Sequence, residues 1–123
     1  MIRGIGVDTV AVDRMRRWLA DASLMARYFA EQERDAIYQR RDGAALSLAA
    51  RFAAKEAYAK ALGTGFRGFG LRDVWVVNDA LGKPELHVSG QAERALRRIG
   101  GNRLWLSLTH EREHAIAMVV IEG

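Results

Sequence analysis

The chain has 123 residues, 50% hydrophobic and 28% charged, with no Cys, a net charge of +4 and a pI of about 10.0. This suits one globular domain over residues 1–123 and excludes disorder, disulfides and thiolate chemistry; no apolar run is long enough to span a bilayer and no signal peptide opens the chain, so a cytoplasmic protein is expected. The basic excess is carried by Arg, with only Lys55, Lys60 and Lys83 as lysines, and implies an anionic partner: nucleic acid, a phosphorylated ligand or an acidic protein.

Ile2 to Val7 reads as a short strand ending at Asp8. Gly4 and Gly6 weaken it in isolation, so something must hold it or approach it closely. Asp8 falls where the strand is expected to give way to a loop, a common place for functional side chains. Asp13 to Ala20 reads as a helix, with Asp13 as N-cap and Met15, Trp18 and Leu19 on one side. Arg14 and Arg17 flank that stripe. Ser23 is the expected cap of a second helix over Leu24 to Phe29. Glu31 to Arg40 is a third, with Ile37 and Tyr38 as its apolar contacts, and Arg40 to Gly43 is a polar turn.

A long Ala-rich helix is predicted from Ala44 to Leu62, stopped by Gly63. Glu56 and Lys60, four apart, share one face; Arg51 and Lys55 share a second. An ordinary solvated Glu–Lys pair would read the same way. Gly63 to Gly70 carries four glycines and is a loop whose backbone can come close to a ligand, although it matches no nucleotide-binding glycine pattern. Asp73 to Asn78 and Pro84 to Ser89 form a predicted hairpin, followed by a short helix over Gln91 to Ile99. Leu104 to Thr109 is a strand in which Leu104, Leu106 and Leu108 face one way and Trp105, Ser107 and Thr109 the other. His110 to His114 is a polar turn. Ala115 to Ile121 is apolar on both faces, as in a central strand or an oligomer interface. His87 and His114 read as surface or packing residues, and Trp75 and Trp105 as core or interface.

Polar groups recur at three places: Asp8, Glu56 with Lys60, and Ser107 to His110. Two carboxylates without Cys suit a hard cation such as Mg²⁺, which takes one or two protein carboxylates and completes its shell with water and phosphate oxygens. A nearby Lys would meet phosphate as a point charge. This is the equipment of phosphoryl-type transfer.

The blocks Gly4-Ile-Gly-Val-Asp8, Arg51-Phe-Ala-Ala-Lys-Glu-Ala57 with Lys60-Ala-Leu-Gly-Thr-Gly65, and Leu106-Ser-Leu-Thr-His110 with Ala115 to Glu122 resemble the signature of the 4′-phosphopantetheinyl transferases, in the short holo-acyl-carrier-protein synthase form. The resemblance runs from Ile2 to Glu122 and is loose over Leu24 to Arg40 and Val74 to Gly101. It implies an α+β fold of order β-α(3)-β(2)-α-β(2), a small antiparallel sheet packed on a long central helix, in a trimer with sites between subunits. It implies transfer of the 4′-phosphopantetheine arm of coenzyme A to a serine of apo-acyl carrier protein, releasing adenosine 3′,5′-bisphosphate, in support of fatty-acid or polyketide biosynthesis. Asp8 and Glu56 match the Mg²⁺ ligands and Lys60 the phosphate-contacting lysine; these three are the expected catalytic residues. Arg51, Thr109 and His110 match positions lining the nucleotide end; Lys55, Gly63, Thr64, Gly65 and Ser107 complete the expected coenzyme A set. Lys55 would orient Glu56 or touch phosphate. The proton acceptor stays open among Glu56, Asp8, His110 and a water on the metal. Arg14, Met15, Arg17 and Trp18 would form the docking surface for the acidic carrier protein; the alternative is that Met15 and Trp18 are core and the arginines merely solvated. Two rivals remain: a basic nucleic-acid-binding domain, against which the arginines are dispersed and no binding motif appears, and a non-catalytic carrier-protein-binding module.

Overall fold

The structure, a computed structural model, describes residues 1–123. Strand β1 (Ile2–Ala11) leads into helix α1 (Val12–Arg16), a 3-10 turn (Arg17–Ala20), α2 (Ala22–Tyr28) and α3 (Glu31–Gln39). The long helix α4 (Ala44–Leu62) follows, then a hairpin of β2 (Val74–Asn78) and β3 (Pro84–Val88), helix α5 (Gly90–Arg98), and strands β4 (Arg103–His110) and β5 (His114–Glu122). The α+β order is the expected one, with four rather than three α-helices between β1 and β2. No helix is long and apolar enough to cross a membrane.

Strands β1, β5 and β4 form one antiparallel sheet with β5 in the centre; β2 and β3 form a second, two-stranded sheet. Helix α4 lies against the three-stranded sheet and is buried nearly all round, as its Ala-rich, apolar sequence requires. It ends at the predicted place. Gly63 adopts φ +80°, the left-handed C-terminal stop, and its N–H bonds to the Lys60 carbonyl.

The fit between sheet and helix depends on small residues. The inward face of β1 is Gly4, Gly6, Asp8 and Val10; that of β5 is Ala115, Ala117, Val119 and Ile121. A Cβ at Gly4 would stand 2.0 Å from the Ala61 carbonyl oxygen, and one at Gly6 2.0 Å from that of Ala57. No side chain fits there.

The structure moves several predicted boundaries. Strand β1 does not stop at Asp8, because Asp8 to Ala11 pair with Ala117 to His114 of β5. Asp8 is therefore inside a strand, not at its mouth. Asp13 does not cap α1; Ala11 stands at that position, and Asp13 instead pairs with Arg16 at 2.7 Å. The cap of α2 is Asp21, which accepts from the Leu24 N–H at 3.0 Å, in place of Ser23. Tyr38 is exposed and donates to the Leu19 carbonyl at 2.8 Å; Ile37 alone enters the core.

These contacts rank two glycine substitutions. Gly6→Ala forces β1 off α4 and should cost more than about 3 kcal/mol. Gly63→Ala meets nothing within 4 Å and should cost only about 1–2 kcal/mol for the left-handed backbone. Urea unfolding midpoints check the order; equal losses would mean the strand–helix contact is slack.

Candidate active site

Asp8 owes its position to the register between β1 and α4. Gly4 lies over Ala61 and Gly6 over Ala57, so two strand residues match one helical turn. The spacing holds because two strand residues advance about 6.8 Å and four helical residues about 6 Å. Asp8 is next on the same face, and the long Lys60 side chain reaches along β1 to meet it. Lys60 Nζ donates to Asp8 Oδ1 at 2.8 Å and to the Val7 carbonyl at 3.3 Å. This bond and the Asp8 charge push the Lys60 ammonium to higher pKa.

Glu56 completes the group. Its carboxyl is raised above its ordinary value, first by burial and then by the Asp8 charge, while Lys60 and Arg14 act in the opposite sense. Two carboxylates are held together here with only partial compensation. An all-oxygen pair with mutual repulsion fits a hard divalent cation. Each carboxylate offers about four lone-pair sites, so Asp8 can accept from Lys60 and still bind an ion.

A second polar site opens on another side of α4. A groove of about 490 Å³ is lined by residues including Arg40, Ser47, Arg51, Asn78, Pro84 and His110, and no acidic side chain reaches it. Arg51 is buried. Its Nη1 donates to the Val76 carbonyl at 2.8 Å and its Nε to Ser47 Oγ at 3.4 Å, while Nη2 has no partner within the chain. Two arginines with no carboxylate in the groove lining make it a site for anions. His110 belongs here because it lies on the inward face of β4, opposite Ala115.

Ser107 and Thr109 point the other way, to the exposed face of the sheet, beside Trp105. They do not join His110 within one chain. Gly63, Thr64 and Gly65 form the exposed exit from α4, where Thr64 Oγ1 lies 3.2 Å from the Gly65 carbonyl.

Lys55 corrects the sequence reading. Its side chain is 0% exposed, and Nζ donates to Glu33 Oε1 at 2.6 Å, to the Leu71 carbonyl at 2.9 Å and to the Val74 carbonyl. Burial lowers its pKa, and Glu33 opposes this. It is spent on the interior and cannot touch a coenzyme A phosphate. Glu33, its partner, was not singled out from sequence. It sits in the loosely matching Leu24 to Arg40 stretch, and an exposed helical Glu has the same local signature.

The expected docking surface also divides. Met15 is fully buried, and Trp18 packs on Tyr28 and Phe52 at 5.6 and 5.2 Å between ring centroids. Both are packing residues, since α1 lies on α4. Arg14 and Arg17 remain exposed, with the Arg14 guanidinium 5.4 Å from the Phe52 ring centre.

Known proteins share this fold and sequence. A family model described as the 4′-phosphopantetheinyl transferase superfamily matches residues 4–119. A holo-[acyl-carrier-protein] synthase of Treponema denticola is 51% identical over 123 residues, with 100% of both chains covered. One from Treponema pallidum is 46% identical, covering 100% of this chain and 98% of its own. Among solved structures, the holo-[acyl-carrier-protein] synthase of Neisseria meningitidis superposes with a TM-score of 0.89 at 37% identity, with both chains fully covered. That of Bacillus anthracis, solved in complex with CoA (3′,5′-ADP), gives 0.83 at 36%, covering 100% of this chain and 98% of its own. The chain belongs to the 4′-phosphopantetheinyl transferase superfamily.

Proposed function

We propose that this chain, acting as a single domain over residues 1–123, is a holo-[acyl-carrier-protein] synthase. It transfers the 4′-phosphopantetheine arm of coenzyme A to a serine of an apo-acyl carrier protein and supplies fatty-acid biosynthesis in the cytoplasm. The observation that carries this reading is the convergence of Asp8, Glu56 and Lys60 from β1 and α4. In the reaction the serine oxygen forms a bond to the phosphorus that bears pantetheine. The bond from that phosphorus to the bridging oxygen breaks, adenosine 3′,5′-bisphosphate leaves, and the serine proton passes to a base. Incubation with coenzyme A, Mg²⁺ and apo-acyl carrier protein, read by intact mass, should add one phosphopantetheine to the carrier; an unchanged mass overturns the assignment.

Asp8 and Glu56 are assigned to a Mg²⁺ ion, which when bound neutralises charge on the pyrophosphate oxygens. Lys60, already beside Asp8, would meet phosphate as a point charge. Arg51 and His110 would hold the nucleotide end in the anion groove. Within one chain His110 shares that groove and not the carboxylate cluster. Asp8→Ala and Glu56→Ala should each lower turnover more than about a hundredfold and remove metal-dependent coenzyme A binding; wild-type rates in either would remove the metal site. Because the Glu56 carboxyl sits above its ordinary value, protons compete with the cation sooner than at a free carboxylate. Metal affinity should therefore fall as pH drops through the Glu56 range, and calorimetry at stepped pH reads this directly.

The exposed sheet face carries Ile5, Val7, Trp105, Ile116 and Met118, an apolar patch with no cover in the chain. We assign it to the contact of a homotrimer. Such packing would also let the groove of one subunit serve the carboxylates of another, with Ser107 and Thr109 brought to that seam. Met118→Glu should yield monomers in sedimentation and lose most activity; an unchanged trimer would place the contact elsewhere.

Arg14 and Arg17 are assigned to the acidic carrier protein. Arg14→Ala should raise KM for the carrier several-fold and KM for coenzyme A by less than about twofold; equal effects would make α1 a structural element only.

A further inference from the structure

The buried charges around Glu33 are not used by the reaction as assigned, and they converge on one edge of β2. The opposite edge of β2 pairs with β3. On the α4 side, the strand's peptide groups meet side chains in place of another strand. The Val76 N–H donates to Glu33 Oε2 at 3.1 Å, the Val76 carbonyl accepts from Arg51 Nη1 at 2.8 Å, and the Val74 carbonyl accepts from Lys55 Nζ. Glu33 also holds Lys55 at 2.6 Å and faces Arg51 Nη1 at 3.8 Å. One carboxylate thus serves two cations and the strand they bind.

Stability alone does not account for such a group. Replacing a buried ion pair by apolar residues of similar volume is often neutral or stabilising. What the charges do specify is where Val76 and Arg51 stand, and both line the anion groove. We infer that Glu33 and Lys55 are positioning residues that fix Arg51 and the β2 wall for the nucleotide end of coenzyme A. Glu33 holds one side of the guanidinium through charge, and Lys55 holds Glu33 and the Val74 carbonyl. Arg51 Nη2 is left for the ligand. The triad carries one negative and two positive charges, so it also leaves the groove with a surplus that a phosphate would neutralise. This inference rests on the assignment of the groove to the nucleotide.

The test separates positioning from stability. The double variant Glu33→Leu with Lys55→Met removes both charges at similar volume, and Glu33→Gln keeps shape while removing one. Binding of adenosine 3′,5′-bisphosphate is measured by calorimetry, KM and kcat are measured with coenzyme A, and melting is followed by circular dichroism. The double variant should melt below the wild type, because it leaves the Val76 N–H and the Val74 and Leu71 carbonyls without partners, and at temperatures where it is still folded it should bind the bisphosphate about tenfold or more weakly. KM for coenzyme A should rise in step, and kcat should fall by less. If the double variant does not fold, Glu33→Gln gives the same reading, with a smaller rise in Kd. A folded variant with wild-type Kd overturns the inference. A wild-type protein that binds no bisphosphate overturns the groove assignment instead, so the two failures are distinct.

Discussion

The contact between β1 and α4 governs the rest of the structure. Gly4 and Gly6 let the strand lie directly on the carbonyls of Ala61 and Ala57. At that distance the register is fixed, and Asp8 falls beside Glu56 and Lys60 without any loop to aim it. Ala115 and Ala117 of the central strand continue the same narrow seam. A larger side chain anywhere along it would lift the sheet and separate the carboxylates. The glycines are thus part of the site in a physical sense, although neither contacts a ligand.

Charge is distributed around α4 in a way that packing alone would not select. One side holds two carboxylates and an ammonium, with Glu56 raised first by burial and then by the Asp8 charge. Another holds Arg51 over an acid-free groove, kept in place by a buried carboxylate. Arg51 and Glu56 are five residues apart, which is roughly 140° around a helix. They look in different directions, and in the proposed homotrimer a ligand would meet both from two copies of the chain. The uncovered apolar face of the sheet is the surface assigned to that assembly.

Much of this was legible in the sequence. The long helix was placed residue for residue, because alanines and a terminal glycine are strong local signals. The glycines of the first strand correctly announced a close approach. What failed was non-local. Asp8 lies within a strand because of pairing with residues more than a hundred positions away. Lys55 looked available because its partner, Glu33, comes from another helix. Met15 and Trp18 read as docking residues beside their arginines, yet Met15 of α1 is buried and Trp18 of the following 3-10 turn packs on Phe52 of α4. The alternation Trp105, Ser107, Thr109 against Leu104, Leu106, Leu108 was read correctly, but it set Ser107 and Thr109 apart from His110 in the same strand.

On the proposed assignment Asp8 and Glu56 grip one divalent ion together. Crystals grown with coenzyme A and Mn²⁺, measured at the manganese absorption edge, test it most directly. The expected result is one anomalous peak per active site, bonded to oxygens of both side chains and to the coenzyme A diphosphate. A peak bonded to only one of them, or lying elsewhere in the molecule, would contradict it.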